Sequence, residues 1–360
     1  TVAIQLFAAE IPDRYWPQWR GPANSGNAAF ADCPVKWSKD DGYLWKVTLP
    51  GIGCSTPVVW GDHILLTSTQ DGQDLALAYD WTGKLVWTAN IGAGVPGKHR
   101  NGSGSNPSIV TDGEHVFAYF KSGNLAALDI NGELLWQTNL QQSYGKLKLY
   151  WDQGTSPALT RRDVIVAVMH GGDSYVVAFD QRTGKQTWKV PRNYKVPVEC
   201  DHSYATPIVL DQNGTETILI WGAEHLTAHD AKDGSELWSC GGFNPEEKRN
   251  WVQVASFVVD GDIAVIPYGR GARLAGIRLG GSGDVSDTHR VWTKENIGSF
   301  VPTPSLLDGK VIVVRDAGEI VCADSHTGET LWRDRFPKHR SKFYASPTIA
   351  GDRLYVPRED

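Results

Sequence analysis

Residues 156–188 read SPALTRRDVIVAVMHGGDSYVVAFDQRTGKQTW and contain one complete structural unit. A small residue and a proline open the unit, and two apolar runs follow at 164–169 and 175–180. Thr183, Gly184 and Lys185 then form a turn before a last run that ends near Trp188. Short runs rich in β-branched and aromatic residues, separated by turn residues, are typical of an antiparallel meander. The stretch therefore predicts a sheet of four antiparallel strands.

Two features of this unit recur along the chain. The first is a phrase of a small residue, a variable residue and Pro, with Phe in place of Pro in the fifth repeat, which occurs seven times with its third positions spaced 50, 50, 50, 50, 47 and 43 residues apart. The second is a Trp on the predicted outer strand, where its large side chain can wedge between neighbouring sheets. A fixed period of this size predicts an all-β propeller. The third positions are Pro57, Pro107, Pro157, Pro207, Phe257, Pro304 and Pro347, and the tryptophans are Trp45, Trp87, Trp136, Trp188, Trp238, Trp292 and Trp332.

Two repeats depart from the pattern. The fifth replaces its Thr-Gly turn with residues 280–284 (GGSGD), which predicts a longer outer hairpin. The seventh contains only two strands before residue 360, so the sequence leaves seven blades or eight as alternatives, the latter with the C-terminal part missing. Residues 37–49 contain a turn and an outer strand without inner strands before them. We expect this segment to close the ring against the last blade.

The turn phrase at 180–188, with the pattern D-x-x-T-G-K-x-x-W, resembles the repeat of PQQ-like (pyrroloquinoline-quinone-type) propellers. Residues 16–22 (WPQWRGP) also resemble a phrase that precedes the first blade in many bacterial members. The resemblance covers about residues 37 to 356. It implies four-stranded blades and a family that includes quinoprotein dehydrogenases and the outer-membrane assembly factor BamB.

Composition narrows the classes of function. The formal net charge of −6 gives no overall basic surface for a phosphate backbone, so we expect no nucleic-acid partner. No run of about 18 apolar residues occurs, so we expect no transmembrane helix. The five cysteines form no C-x-x-C pair, which argues against a zinc ribbon or a thioredoxin-like motif.

The chain ends support a provisional division. We interpret residues 1–10 as the remnant of an export signal, 11–36 as an N-terminal extension and 37–360 as the propeller. This division predicts an exported, periplasmic or extracellular monomer.

The segments that precede each inner strand are polar and aromatic, and they should converge on one mouth of the central channel. We expect this mouth to bind a ligand. The basic residues among them favour an anionic ligand or a carboxylate. The sixteen candidate residues are His99, Arg100, Asn101, Trp151, Asp152, Glu199, Asp201, His202, Tyr204, Asn250, Trp251, Gln253, His339, Arg340, Lys342 and Tyr344.

A metal site is the weaker interpretation of the acidic cluster. Glu199, Asp201 and His202 are suitable ligand types. They lie on one extended segment, however, where alternating side chains would separate Asp201 from His202. We therefore predict no metal ligands.

Three functions stay open. The favoured one is a non-catalytic scaffold that binds or assembles a protein partner or a small ligand without a cofactor. The second is a dehydrogenase of alcohols or sugars that uses PQQ and calcium, with Asp152 or Asp201 as base, Glu199 as calcium ligand and Trp151 or Trp251 as stacking platform. The eight-bladed dehydrogenases carry two adjacent cysteines, whereas no two cysteines of this chain are adjacent.

The third function is a hydrolase or lyase built on the His, Asp and Arg cluster. Asp152, Asp201 and His202 are its catalytic candidates, because a histidine with a nearby carboxylate is the minimum for acid and base catalysis.

Overall fold

The computed structural model describes residues 15–28, 33–38, 40–212 and 214–360. The predicted signal remnant at 1–10 lies outside the described residues, as does part of the extension at 11–36. Within the described ranges, the strands form seven sheets that follow one another along the chain. The prediction of an all-β propeller built from four-stranded blades is confirmed.

The first strand in the chain, β1 (Asn27–Ala28), belongs to the last sheet. The first three blades each contain four consecutive antiparallel strands. Blade one contains β2 (Val58–Trp60), β3 (His63–Gln70), β4 (Gln73–Tyr79) and β5 (Leu85–Ala93). Blade two contains β6 (Val110–Thr111), β7 (His115–Tyr119), β8 (Asn124–Asp129) and β9 (Leu134–Asn139), and helix α1 (Leu140–Tyr144) follows it. Blade three contains β10 (Ala158–Leu159), β11 (Asp163–Val168), β12 (Tyr175–Asp180) and β13 (Gln186–Pro191).

The remaining blades continue the same meander. Blade four contains β14 (Ile208–Gln212), β15 (Thr215–Gly222), β16 (His225–Asp230) and β17 (Glu236–Cys240). Blade five contains β18 (Val258–Asp260), β19 (Ile263–Tyr268), β20 (Arg273–Arg278) and, after β21 (Gly283–Asp284) and helix α2 (Ser286–His289), β22 (Arg290–Glu295). Blade six contains β23 (Ser305–Leu307), β24 (Lys310–Val314), β25 (Glu319–Asp324) and β26 (Thr330–Arg335), and blade seven contains β27 (Thr348–Ala350) and β28 (Arg353–Tyr355) with β1.

The repeated Trp is a wedge between blades. In blade three, the ring of Trp136 from the preceding blade lies under the turn at Gly184, where a Cβ would be only 2.5 Å from the ring. Trp136 Nε1 also donates a hydrogen bond to the carbonyl of Gln181 at 2.8 Å. Among the residues that the structure describes, the same pairing of ring with glycine and indole with carbonyl occurs five times. The pairs are Trp45 with Gly83, Trp87 with Gly132, Trp136 with Gly184, Trp188 with Gly234 and Trp292 with Gly328.

The two remaining tryptophans face the two irregular blades. Trp238 is buried at blade five, whose outer hairpin holds β21 and α2, and β21 pairs in parallel with β17. Trp332 is 44% exposed because blade seven has no third or fourth strand among the described residues to cover it. The wedge thus depends on the neighbouring turn as much as on the Trp itself.

A chain of hydroxyl groups links the inner strands. The backbone N–H of one Ser or Thr donates to the side-chain oxygen of the equivalent residue in the next blade, at 2.8 to 3.1 Å. The chain has six links, and in the described part of the protein no seventh link joins Ser346 to Thr56. Its members are Thr56, Ser108, Ser156, Thr206, Ser256, Thr303 and Ser346.

The row of hydroxyl groups shows that the sequence analysis aligned the second repeat incorrectly with the others. Val58 in β2 and Val110 in β6 hold equivalent positions, because they pair with Leu65 and Phe117 at the same step of each hairpin. Ile109, not Pro107, is therefore the third position of the repeated phrase. Pro107 lies two residues too early because the loop before this blade carries its own proline.

The ring is not closed as the sequence predicted. Residues 37–38 and 40–49 form no strand. Instead, β1 runs parallel to β27 on the inner side of the last blade. Trp45 still occupies its wedge position against Gly83, and Trp37 stacks on Tyr355 with ring centroids 6.1 Å apart. The N-terminal part of the chain therefore reaches the last blade without supplying its outer strand.

Replacing Gly184 by Ala should lower the free energy of unfolding by about 2–4 kcal/mol. The new methyl group must displace the Trp136 ring, and the alanine backbone must adopt a φ of 67°. Gly261→Ala is the matched control, because Gly261 has a φ of 57° with no atom within 4 Å of the added Cβ. The control should cost about 1 kcal/mol. Urea denaturation followed by fluorescence measures both, and equal losses would contradict the wedge.

Replacing Thr206 by Val keeps the shape of the side chain but removes the acceptor for the Ser156 N–H. A buried N–H without a partner costs about 1–3 kcal/mol, so unfolding should become easier by that amount. The exposed Thr88 in β5 provides the control, and Thr88→Val should change stability by less than about 0.5 kcal/mol. Two indistinguishable urea midpoints would show that the hydroxyl chain contributes nothing.

Candidate functional site

A cavity of about 520 Å³ opens at one mouth of the central channel. Two kinds of segment form its wall: those that lead into the inner strands, and the hairpin tips between second and third strands. A further space of about 400 Å³ continues toward the axis and shares Tyr204, Val301 and Tyr344 with the cavity. The mouth is thus the outer part of a longer channel.

Residues 15–28 lie across the other end of the channel. Trp16 exchanges backbone hydrogen bonds with Val59 of blade one, and the Pro17 carbonyl accepts from Thr111 of blade two. Trp16 and Trp19 line the inner end of the channel. The segment spans both sides of the break in the hydroxyl chain, because it also contacts the last two blades.

Arg20 makes those last contacts. Its buried guanidinium donates to the carbonyls of Pro347 at 2.6 Å and Pro304 at 3.0 Å, and to the Ser305 hydroxyl at 2.7 Å. Burial lowers the pKa of Arg20 to about 9. One side chain therefore joins blades six and seven through backbone carbonyls, at the point where Gly26 leaves room for it.

The structure brings seven of the sixteen predicted residues together. The residues that line the cavity are His99, Asn101, Trp151, Asp152, Glu199, Tyr204 and Tyr344. The other nine do not line it. They are Arg100, Asp201, His202, Asn250, Trp251, Gln253, His339, Arg340 and Lys342.

Asp152 holds a loop in place. Its buried carboxylate accepts hydrogen bonds from the backbone N–H groups of Lys98, at 2.7 and 2.9 Å, and His99, at 2.8 Å. Lys121 Nζ lies 2.7 Å from the same carboxylate. With this set of donors the carboxylate is occupied, so its geometry is that of an anchor for the loop at 98–102 and not of a free base.

His202 and Asp201 lie behind the rim. His202 is buried, and its Nδ1 accepts a hydrogen bond from the Tyr150 N–H at 3.4 Å. Its Nε2 is 3.7 Å from Asp201 Oδ1. The pair contacts the segment that carries Tyr150 and Trp151, so it supports the rim from outside the cavity.

Two of the predicted basic residues pair with carboxylates near residue 360. Arg100 forms an ion pair with Glu359, which also accepts from Asn101 Nδ2 at 2.8 Å. His339 Nε2 lies 3.5 Å from Asp360. These contacts place Arg100 and His339 around the last residues of the chain, away from the cavity wall.

Three predicted residues have structural contacts. The Asn250 carbonyl accepts from Arg270 at 2.9 Å. Trp251 packs under Lys248 Nζ, 4.9 Å from its ring centroid. The buried Gln253 side chain accepts from the Ala223 N–H at 3.1 Å and donates to the Trp251 carbonyl at 2.7 Å.

Ten residues of the cavity wall are not among the sixteen candidates, and four of them are Phe300, Val301, Arg270 and Asp316. Phe300 and Val301 precede the inner strand of blade six, so the rule applied to the other repeats could have found them. Arg270 and Asp316 lie on hairpin tips between second and third strands. Those tips look like ordinary turns in the sequence, and only the Gly residues on both sides of Arg270 give a signal.

The mouth combines aromatic and acidic groups. Trp151, Tyr204, Phe300 and Tyr344 supply rings, and Glu199 and Asp316 supply carboxylates. Asp316 Oδ1 accepts from the N–H groups of Phe300 and Val301 at 3.2 and 3.3 Å. Burial raises the pKa of Asp316 above its ordinary value in spite of these hydrogen bonds.

Burial also raises the pKa of Tyr204 to about 12. Its hydroxyl accepts from the Trp151 N–H at 3.1 Å. The phenol is therefore neutral at physiological pH and holds one side of the rim.

The residues proposed for PQQ and calcium do not form a site together. Glu199 and Trp151 line the cavity, whereas Asp201 and Trp251 do not, and Asp152 is occupied by Lys121 and two backbone N–H groups. Across the ranges that the structure describes, no group of three His, Cys, Asp or Glu residues has the geometry to hold a metal ion. These residues therefore do not fit PQQ and calcium.

Two known proteins are similar in sequence to about half of the chain. It is 28% identical over 204 residues to the outer membrane protein assembly factor BamB of Burkholderia pseudomallei (strain K96243), covering 55% of this chain and 48% of the relative. It is 26% identical over 177 residues to methanol dehydrogenase (cytochrome c) subunit 1 of Methylobacterium organophilum, covering 45% of this chain and 26% of that protein. The chain thus spans about half or less of the length of these curated relatives.

Among solved structures, BamB from Moraxella catarrhalis superposes with a TM-score of 0.58 at 19% identity, covering 85% of this chain and 80% of that one. This similarity supports the propeller fold. None of the helices in the described ranges is long and apolar enough to cross a membrane.

The family model described as "Outer membrane protein assembly factor BamB" matches residues 34–198, 150–294 and 284–360. These three overlapping matches cover every strand from β2 to β28. The chain therefore belongs to the BamB family of PQQ-like propellers.

Proposed function

We propose that this protein is a non-catalytic scaffold that holds a protein partner at the open mouth of its channel. The observation that carries the proposal is an aromatic rim that is exposed although it is held in a fixed geometry. Tyr150 and Trp151 are 50% and 43% exposed, and their rings meet edge to face with centroids 4.9 Å apart. Large exposed aromatic side chains are the residues that most often dominate protein interfaces.

The rim is pre-organised by its neighbours. Lys98 Nζ lies 4.2 Å from the Tyr150 ring centroid and donates to the Tyr150 carbonyl at 2.6 Å. The His99 ring meets the edge of Trp151 at 5.0 Å. Since Asp152 fixes the loop that carries Lys98 and His99, little conformational freedom is left to be lost on binding, which favours affinity.

The arrangement of the candidate catalytic residues supports binding over catalysis. Asp152 is saturated with donors, and Asp201 and His202 lie outside the cavity wall. General acid or base catalysis needs a group within hydrogen-bond reach of the bound substrate. The hydrolase and the quinoprotein dehydrogenase both relied on these residues, so the scaffold is the function that the geometry supports best.

The proposed cellular role follows from the family. BamB of Burkholderia pseudomallei carries the printed description of an outer membrane protein assembly factor. By analogy we infer that this chain works outside the cytoplasm, as a monomer that contributes to the assembly of a larger protein complex. The direct partner is then another protein of the cell envelope.

Trp151→Ala should remove most of the partner binding, because the central aromatic residues of an interface typically cost 2 kcal/mol or more, roughly thirtyfold in affinity. The measurement is quantitative capture of envelope proteins by the immobilised full chain, with bound proteins identified and their dissociation constants determined. Trp81→Ala is the matched control, since Trp81 is 53% exposed on a turn at the opposite end of blade one.

Both variants should unfold at the wild-type urea concentration, which separates binding from folding. A partner lost from the Trp151 variant and kept by the Trp81 variant supports docking at the mouth. Equal retention by the two variants, or loss only from the Trp81 variant, would place the interface elsewhere and refute the proposal.

A further inference from the structure

The carboxylates on this face of the propeller differ in whether they form an ion pair. Asp152 is paired with Lys121, and Glu359 with Arg100. Within the ranges that the structure describes, Glu199 and Asp316 have no such ion pair. Both side chains are half-buried in the cavity wall, so they face a ligand-sized space without a direct ion pair, although Lys342 attracts Asp316 from outside the wall.

Aromatic rings surround these carboxylates. Trp151, Tyr204, Phe300 and Tyr344 line the same cavity, and the face of an aromatic ring attracts a cation within about 6 Å of its centroid. Two rings of the wall already have such contacts, because the Arg270 guanidinium lies 4.2 Å from the centroid of Phe300 and Lys98 Nζ lies 5.8 Å from that of Trp151. The wall can therefore hold a guanidinium against a ring.

Burial strengthens the case for a positive ligand. The pKa of Asp316 is raised chiefly by loss of water around the carboxylate, and the backbone hydrogen bonds from Val301 and Phe300, with the smaller attraction of Lys342, offset this only in part. A cation placed beside the carboxylate would replace the lost solvation. The cavity volume of about 520 Å³ lies within the range of about 300–1,000 Å³ that is usual for ligand sites.

We propose that this cavity receives a basic side chain, a lysine ammonium or an arginine guanidinium, presented by the protein partner. This inference rests on the proposed scaffold function and names the chemistry that the mouth recognises. Glu199 and Asp316 pair with the cation, and Trp151 and Phe300 contact its apolar stem and its charged face. The charge of this ligand is opposite to that of the anionic ligand that the sequence favoured. Most of the basic residues on which that expectation rested do not line the cavity.

The test uses the full chain and fluorescein-labelled, end-blocked tetra-arginine and tetraglutamate peptides, followed by fluorescence anisotropy at low salt. Tetra-arginine should bind and tetraglutamate should not. Glu199→Gln and Asp316→Asn should each weaken tetra-arginine binding about tenfold. Glu133→Gln is the control, since it removes the same charge from an exposed turn at the opposite end of blade two and should change binding less than twofold.

A fourth variant should act in the other direction. Arg270→Ala removes the resident guanidinium from Phe300 and a like charge from the wall, so tetra-arginine should bind about three- to tenfold more tightly. Equal binding of the two peptides, equal losses in Glu133→Gln and Glu199→Gln, or weaker binding by Arg270→Ala would each overturn the proposal. If Asp316→Asn shifts the urea midpoint, Glu199→Gln carries the test, because no hydrogen bond to its side chain is found among the described residues.

Partner capture with the same variants separates this inference from the scaffold function. Capture lost from Trp151→Ala but unchanged in Glu199→Gln and Asp316→Asn refutes the cationic anchor and leaves the scaffold intact. Capture weakened in all three supports both. Capture unchanged in all three refutes the docking site and the anchor together, whatever the peptides show.

Discussion

The hydroxyl chain from Thr56 to Ser346 is the constraint on which the rest of the structure depends. In a propeller the innermost strands fan out around the axis, so neighbouring inner strands cannot pair as strands of one sheet do. Their inward N–H groups would then be buried without partners, which is costly. A Ser or Thr at one position of every repeat after the first supplies the missing acceptor to the repeat before it. The row of hydroxyl hydrogen bonds is interrupted between blades seven and one. There, Arg20 and β1 form hydrogen bonds to the last blade instead.

The fold could be predicted because the two parts of each wedge, a Gly turn and a Trp, can each be recognised in a short stretch of sequence. Gly184 and its turn follow from the sequence around them, and the Trp that packs on that turn recurs at the same step of the repeat. The register of the second repeat could not be predicted from the small-x-Pro phrase. Pro107 ends a matching phrase in the sequence, whereas the pairing of the strands shows that Ile109 holds the equivalent third position. The hydroxyl at the middle position, which all seven repeats carry once they are aligned on the strands, is the better marker.

The site was only partly predictable for a different reason. Residues before the inner strands do converge, and seven of the sixteen candidates line the mouth. Their charges, however, are set by contacts between distant parts of the chain, such as Arg100 with Glu359 and Lys121 with Asp152. No pattern within one repeat reveals which cation a carboxylate will meet. The anionic ligand that the sequence favours and the basic side chain proposed from the geometry therefore differ because only the structure shows these ion pairs.

The central claim is that a rigid propeller presents one mouth to a protein partner, and hydrogen exchange of the full chain with and without that partner tests it most directly. Amides of the mouth segments at 94–102, 146–154 and 196–204 should exchange more slowly in the complex. The turns at 80–84, 129–133 and 180–185, at the other end of the blades, should exchange at the same rate in both states. Protection confined to those turns, with none at the mouth, would contradict the account.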